Sequence, residues 1–506
     1  MAKSKDQLKI GVLLSYLNLA ISSIIPFVYT PVMLRILGQN EYGLFSLAHT
    51  AIGYLSLLTF GFGGTILRYL SIYRAKGQKE EEEKTLGFFL LLYSFIAVLI
   101  MLGGIILSHN AEAIFHRGLT EEELAKMRVL LLIVAASSAV ALPAGVFSSV
   151  VLAHERYLFK RILEICLTIL IPAVNLIALF LGYASIGMAV GSFLIHLCYL
   201  PVYGTYCIRV LKIKPIFARL PKALIKEMVG VSAFVFLASV VDMLFWSTDK
   251  FLLGTMIGTA SVAVYNIGGT FNSTVMSLSG AIVNTLAPRV TSMVAKEADP
   301  KELSEVFIRV GRLQFLVVGL IVSGFAVFGR AFIHLWAGDA YADAYWIAVL
   351  TMFPLCIPLI QNTGITILVA KNKHAFRSTV YFIIAVANVV STYLIIPYMG
   401  AIGAALCSGV SYLLGQGLIM NLFYWKKIGL DIPRFWGIIL KMMPVPAGML
   451  LAGLFVRRYF SINSWVVFFL LVAAYTVVYC AAMYGLAMND YEKNLLLGKL
   501  KRKSRG

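Results

Sequence analysis

Charge is what this chain has least of. Asp, Glu, Lys and Arg make up 13% of its 506 residues, about half the ~25% carried by an ordinary soluble domain. So little charge cannot solvate a globular surface of this size. Cysteine is scarce as well. Cys166, Cys198, Cys207, Cys356, Cys407 and Cys480 all fall in apolar runs and form no CxxC pair. They read as small hydrophobes, with neither a disulfide framework nor a metal site expected. No GxxxxGK[ST] is present, so the chain carries no P-loop of its own, and HExxH and GxSxG are missing too. The seven histidines are scattered. His49 and His196, inside apolar runs, read as hydrogen-bonded interior residues.

What remains is hydrocarbon. Hydrophobic residues form 60% of the chain and cluster in runs of about 20 or more, the length that crosses a bilayer core. These runs predict an all-α polytopic membrane protein with fourteen transmembrane helices: 11–34, 43–67, 85–107, 129–152, 162–182, 186–208, 228–254, 262–288, 313–329, 345–370, 378–396, 401–424, 435–456 and 464–487. The first is too long for a signal-peptide core and lacks a small-residue cleavage site, so it is expected to be retained. With the N-terminus inside, 34 of the 43 Lys and Arg lie in cytoplasmic segments and seven lie outside: Arg35, Arg117, Lys126, Arg128, Arg330, Arg457 and Arg458. That asymmetry predicts cytoplasmic N- and C-termini. It also accounts for most of the net charge of +19, which calls for no nucleic-acid partner. The tail GKLKRKSRG is expected to meet anionic lipid.

The loops are too short to be domains. The largest outer one, 108–128, contains TEEE, the opening of a short capped amphipathic helix. EEEEK at 80–84 reads as a solvated face. The glycines of FGFGGTIL (60–67) are expected to permit close helix packing rather than to cradle phosphate.

Three segments recur at one offset of about 215–220 residues. AHERYLFKR (153–161) matches AKNKHAFRS (370–378), aligning Ala153 with Ala370, Arg156 with Lys373, Phe159 with Phe376 and Lys160 with Arg377. GYASIGMAVGS (182–192) echoes PYMGAIGAALCSG (397–409), and LGQNEYGLF (37–45) echoes IGTASVAVY (257–265). The expected organisation is an N-terminal six-helix lobe at 1–215, a C-terminal six-helix lobe at 216–425, and two appended helices with a basic tail at 426–506. Six spans is an even number, so the two lobes run parallel. Transporters built this way hold substrate near the lobe interface.

LGQNEYGLFSL, the span ending ILRYLS, TDKFLLGTMIGTASVAVYNIG and IIPYMGAIGAALCSG together resemble the polysaccharide-biosynthesis (Wzx-type) flippases of lipid-linked oligosaccharides. That family sits in the superfamily of the multidrug and toxin extruders and the lipid II flippases. The resemblance covers essentially the whole chain. It implies two six-helix lobes around a cavity lined by spans one, two, seven and eight, in the cytoplasmic (plasma) membrane of a bacterium or archaeon. It also implies that a polyprenyl-pyrophosphate-linked oligosaccharide is turned from the cytoplasmic to the outer leaflet, by alternating access without ATP. No residue's role is carried over from the family. A Na⁺- or H⁺-coupled multidrug antiporter of the same superfamily is the alternative, and a membrane glycosyltransferase is a third reading. No cofactor is expected beyond a possible coupling Na⁺ or H⁺, and the oligomeric state is left open.

Five charges lie within the spans: Glu164, Asp242, Asp249, Lys250 and Lys441. Glu164 and Lys441 sit near helix ends and can reach the interface. Asp242 lies about 21 Å into span seven at 1.5 Å per residue. A carboxylate there must face protein or a water-filled cavity. The spacing of Asp242, Trp246 and Asp249 follows the i, i+4, i+7 rule for one helix face, with Lys250 beside Asp249. The expected roles are a cation or sugar hydroxyls at Asp242, a sugar ring on Trp246, and an Asp249–Lys250 pair along the path. The competing reading makes these acids helix-packing or interfacial residues. Arg68 and Arg289 end spans two and eight. They are either interfacial anchors or, with guanidinium forks suited to pyrophosphate, part of the cytoplasmic mouth.

Overall fold

The computed structural model describes residues 21–22, 24–218, 221–296, 298–460 and 462–494. Residues 11–20 and 23 of the first expected span, and the basic tail, lie outside the described residues. Among the described residues every regular element is helical, as a chain crossing hydrocarbon requires for satisfying its backbone polar groups. The chain divides into two compact units, 1–263 and 264–506.

The first unit contains α1 (Ile24–Leu37), α2 (Gln39–Leu55), α3 (Phe62–Ala75), α4 (Lys79–His109), α5 (Ala111–Phe115), α6 (Glu121–Ala153), α7 (Tyr157–Phe180), α8 (Ala184–Thr205), α9 (Lys222–Trp246) and α10 (Thr248–Met256). α6 is its axis, packing against α2, α3, α4 and α8. The TEEE sequence does form a capping box, with Thr120 and Glu123 bonded reciprocally. It starts the 33-residue α6, however, and not the short helix expected from the loop. The box works here because the apolar run begins at the next turn, leaving no break between cap and span. Gly43 and Gly87 bring their helices against the backbone of Thr259 and Ile216.

α11 (Thr259–Ala295) leads into the second unit, which continues with α12 (Pro300–Trp336), α13 (Ala344–Ile360), α14 (Asn362–Ala370), α15 (His374–Tyr412), α16 (Asn421–Phe423), α17 (Ile432–Met442), α18 (Pro444–Tyr459) and α19 (Trp465–Ala482). α12 is central, packing on α13, α18 and α19 through a core that includes Phe307, Tyr424, Phe435, Ile439 and Tyr479. The Tyr479 hydroxyl donates to the Leu316 carbonyl at 3.2 Å. Behind α19 the chain is fastened by an ion pair: Arg312 grips both oxygens of the buried Glu492 at 2.6 and 2.7 Å and also donates to the Ala487 carbonyl.

Ten described helices are long and apolar enough to cross a membrane, or eleven when α2 and α3 count as one broken span. The difference from fourteen has three sources. The start of the first span is outside the described residues, and what is described of it is the short apolar helix Ile24–Leu37. α11 is polar for a span, with Thr, Ser and Asn along its length. Spans eleven and twelve join in one helical run, Ala375–Ile428, bent at Gly400 (φ 55°, ψ −140°). At 1.5 Å per residue, those 54 residues measure about 81 Å, enough for two crossings.

The repeat is visible in backbone geometry. Glu155 (φ 54°) and Asn372 (φ 53°) are both left-handed, and each sits in a turn closed by the same three amide bonds: His154, Glu155 and Arg156 to Val150, Leu152 and Val151, and Lys371, Asn372 and Lys373 to Ile367, Val369 and Leu368. Phe159 stacks on Tyr206 at 3.6 Å, and Phe376 on Phe423 at 4.0 Å. Both members of the pair lie 217 positions apart between units. Gly38 and Gly258, at the third matched segment, both have positive φ.

The acidic run at 80–83 is not uniformly solvated. Lys84 bridges Glu80 and Glu81 on the surface. Glu82 instead turns inward, 3% exposed and 3.4 Å from His154 Nδ1. Arg74 closes this corner by donating to the Ala153 carbonyl. α4 is about 46 Å long at 1.5 Å per residue, so its first turn projects beyond the apolar stretch 85–107. There, burial raises the Glu82 carboxyl to about 7 and pushes the His154 imidazole down.

Candidate functional site

Two broken helices build the site in the first unit. α2 ends in a 3-10 turn (Ser56–Thr59), and α3 restarts at a 42° bend. Phe60 (φ 51°) and Gly61 (φ 68°) between them are both left-handed, a conformation that only glycine adopts without strain. Gly61 has a second reason to lack a side chain, because a Cβ there would come within 2.9 Å of Val235 on α9. The close packing expected of the glycine run therefore holds at Gly61 alone; Gly63 and Gly64 have no neighbour within 4 Å of a Cβ position.

α9 breaks in turn at Ser247 (φ −113°), and α10 starts at Thr248. Hydroxyl pairs tie the two broken helices together on either side of the interruption. Thr65 and Ser232 lie 2.7 Å apart and buried, and Tyr54 and Thr248 lie 2.8 Å apart. Phe60 stacks on Phe236 with centroids 4.5 Å apart.

Between these ties lies a cavity of about 390 Å³, lined by Ser56, Thr59, Ser239, Asp242, Trp246 and Ser247 among others. Its volume is in the range of small-molecule sites. Ser56 and Thr59 donate to Gly53 and Ser56 carbonyls at 2.6 and 2.8 Å, and Ser239 to Val235 at 3.0 Å. Those bonds use each hydroxyl's hydrogen and leave the oxygen lone pairs as acceptors toward the cavity. Asp242 is exposed and Trp246 half-buried. The result is an oxygen-rich hollow with one carboxylate and one indole, able to coordinate a small cation or to hold a hydroxylated ring against an aromatic face. Interrupted helices at membrane depth are tolerated where they line such a cavity.

Of the residues singled out in the sequence, the structure brings Asp242 and Trp246 to this cavity. Asp249 and Lys250 do not line it. The single helix face expected for 242, 246 and 249 is interrupted because the helix breaks at Ser247. Beyond the break Asp249 is 1% exposed, and Phe251 sets its ring edge-on to Tyr54 and Phe115, each at 5.7 Å. Arg68 is exposed in the first unit, 5.9 Å from the Tyr69 ring. Arg289 is exposed in the second, one residue after Pro288. Neither lines the Asp242 cavity. His196 is hydrogen-bonded to Ser137 at 2.9 Å, and His49 lies edge-on to Phe45. Sequence reasoning missed Ser56, Thr59, Ser239 and Ser247. Only the glycine run carried a signal, and it was read as packing.

The chain is similar over its length to a membrane protein of Bacillus subtilis (strain 168), EpsK, itself uncharacterized: 23% identical over 496 residues, covering 94% of each chain. Its fold is that of the lipid II flippase MurJ in an inward closed conformation, with a TM-score of 0.73 at 15% identity over 94% of this chain and 99% of the other. A variant of the MATE transporter VcmN of Vibrio cholerae superposes with a TM-score of 0.58 at 14% identity, over 85% and 99% of the two chains. The profile of the polysaccharide biosynthesis protein family matches residues 9–294, more than half of this multi-pass membrane protein, which therefore belongs to that family.

Proposed function

We propose that this protein is a flippase that carries a polyprenyl-pyrophosphate-linked oligosaccharide from the cytoplasmic to the outer leaflet, by alternating access without ATP hydrolysis. The observation that carries the reading is the Asp242–Trp246 cavity at two interrupted helices, in a chain of the polysaccharide biosynthesis family. A carboxylate among hydroxyls accepts hydrogen bonds from a sugar, and an indole covers an apolar ring face. A second feature supports a lipid-linked cargo. In the second unit a groove of about 350 Å³ is lined by Phe271, Phe325, Phe328, Phe332, Phe468 and Tyr475, and it suits an isoprenoid chain. Unaided, a pyrophosphoryl sugar cannot cross hydrocarbon, where each unsatisfied polar group costs several kcal/mol.

Asp242→Asn keeps the size of the side chain and removes its charge. Surface polysaccharide, measured at matched protein level, should fall about tenfold or more, the equivalent of one charged hydrogen bond. Normal output from Asp242→Asn and Trp246→Ala alike refutes the site. Arg68 and Arg289 are proposed as pyrophosphate contacts at the cytoplasmic mouth. Changing both to Gln should weaken binding of the lipid-linked substrate about tenfold with insertion intact, and unchanged affinity returns them to anchoring. The oxygen-rich surroundings of Asp242 also favour a second reading, in which it binds a coupling Na⁺ or H⁺. Transport that persists after both gradients are collapsed excludes that role.

A further inference from the structure

Outer basic residues are rare in this chain, and their partners differ. Lys126 pairs with Glu41 and Glu122, and Arg128 with Glu112. Arg330 and Arg457 have no carboxylate partner among the described residues, yet both line one cleft of about 440 Å³ in the second unit. The cleft lies where α12 ends, α13 begins and α18 ends, on the side that the basic-residue asymmetry assigns to the outer leaflet.

Each guanidinium is held in place without being neutralised. Arg330 lies over the rings of Tyr345 and Trp346, at 5.3 and 5.1 Å from their centroids. Arg457 donates to the Val327 carbonyl at 3.3 Å. The same cleft holds Asp343 and Asp339, and Asp339 pairs with His334. Carboxylates that share a cleft with two arginines, and bridge to neither, leave the cations for another anion and offer acceptors of their own. Exposed Phe460 and buried Ile462 give the cleft an apolar rim.

We propose that this cleft binds the headgroup of a membrane lipid whose phosphate is esterified to a polyol. Arg330 and Arg457 take the phosphate oxygens through their N–H forks. Asp343 accepts hydrogen bonds from the hydroxyls, and the apolar rim receives the start of the acyl chains. A phosphate without a polyol satisfies only the arginines. This goes beyond the transport reading and requires only that the chain span a bilayer.

The test uses the full-length protein, purified and delipidated, with native mass spectrometry counting bound lipid. Phosphatidylglycerol, phosphatidic acid, phosphatidylcholine and the soluble ester glycerol 3-phosphate are the probes. One equivalent of phosphatidylglycerol should bind about tenfold more tightly than phosphatidylcholine, and Arg330→Gln or Arg457→Gln should each weaken that equivalent about tenfold. Asp343→Asn should abolish the preference for phosphatidylglycerol over phosphatidic acid while leaving phosphatidic acid bound. Because Arg330 also packs on two aromatic rings, Asp343→Asn keeps the proposal testable where an arginine variant does not fold. The site is refuted if no equivalent depends on either arginine, or if phosphatidylglycerol has no advantage over phosphatidic acid in the wild type. Glycerol 3-phosphate binding as tightly as phosphatidylglycerol overturns the lipid source and leaves a site for soluble phosphate esters.

Discussion

Gly61→Ala is the sharpest perturbation of the broken helix, because two independent strains meet there. Holding a non-glycine residue left-handed costs about 1–2 kcal/mol. The new Cβ also falls 2.9 Å from the Val235 side chain and 3.0 Å from the Phe236 nitrogen, and overpacking of this kind costs about 1–3 kcal/mol. Adding the two terms gives about 2–5 kcal/mol, toward the lower end because Val235 is 47% exposed and can yield partly. Thermal unfolding of the purified protein measures the sum. A double-mutant cycle with Val235→Gly, which removes both the Cβ and the Cγ1 that lie 2.9 Å away, separates the parts: that portion of the steric share should be recovered, while the contact with the Phe236 nitrogen and the backbone share persist. Gly61→Ala melting like wild type would refute the left-handed junction. A loss that Val235→Gly does nothing to relieve would refute the close approach of α3 to the Val235 side chain on α9.

Two further outcomes follow from buried charge. Burial places the Glu82 carboxyl at about 7, above its unfolded value, so the native state holds that proton more tightly. Its stabilising share is complete at acid pH and is lost as pH rises through about 7. Glu82→Gln should therefore flatten the stability–pH curve and exceed wild type at pH above about 8, by about 1–3 kcal/mol; an unchanged slope by calorimetry rejects the assignment. Glu492→Gln leaves Arg312 buried without its counter-charge and should destabilise by about 3–5 kcal/mol, read as earlier protease cleavage of the C-terminal segment. Resistance equal to wild type means the pair contributes nothing there.

Most of the architecture was legible because a bilayer leaves few options: a long apolar run must be a helix. Membrane-length helices and the repeat were both readable, the latter down to Phe159 and Phe376, whose stacking partners were not foreseen. Asp242 and Trp246 stood out in the sequence because a charge and an indole in hydrocarbon need a reason, and both line the cavity. The break at Ser247 was hidden, since FWSTDK contains neither glycine nor proline. It arises alongside contacts made far along the chain, Thr248 with Tyr54 and Phe251 with Phe115. Gly400 was the converse, a bend without a polar loop, and two spans joined through it. Glu82 looked like its three neighbours in sequence, and only the packing of α3, α4 and α6 distinguishes it.

The Thr65–Ser232 and Tyr54–Thr248 pairs fasten α9 and α10 into the first unit, although by the repeat they open the second copy. The lobe boundary expected near residue 215 and the packing boundary after residue 263 thus lie one broken helix apart. A chain ended near residue 215 would leave Thr65 and Tyr54 without Ser232 and Thr248, so the first unit closes only when α9 and α10 are made with it.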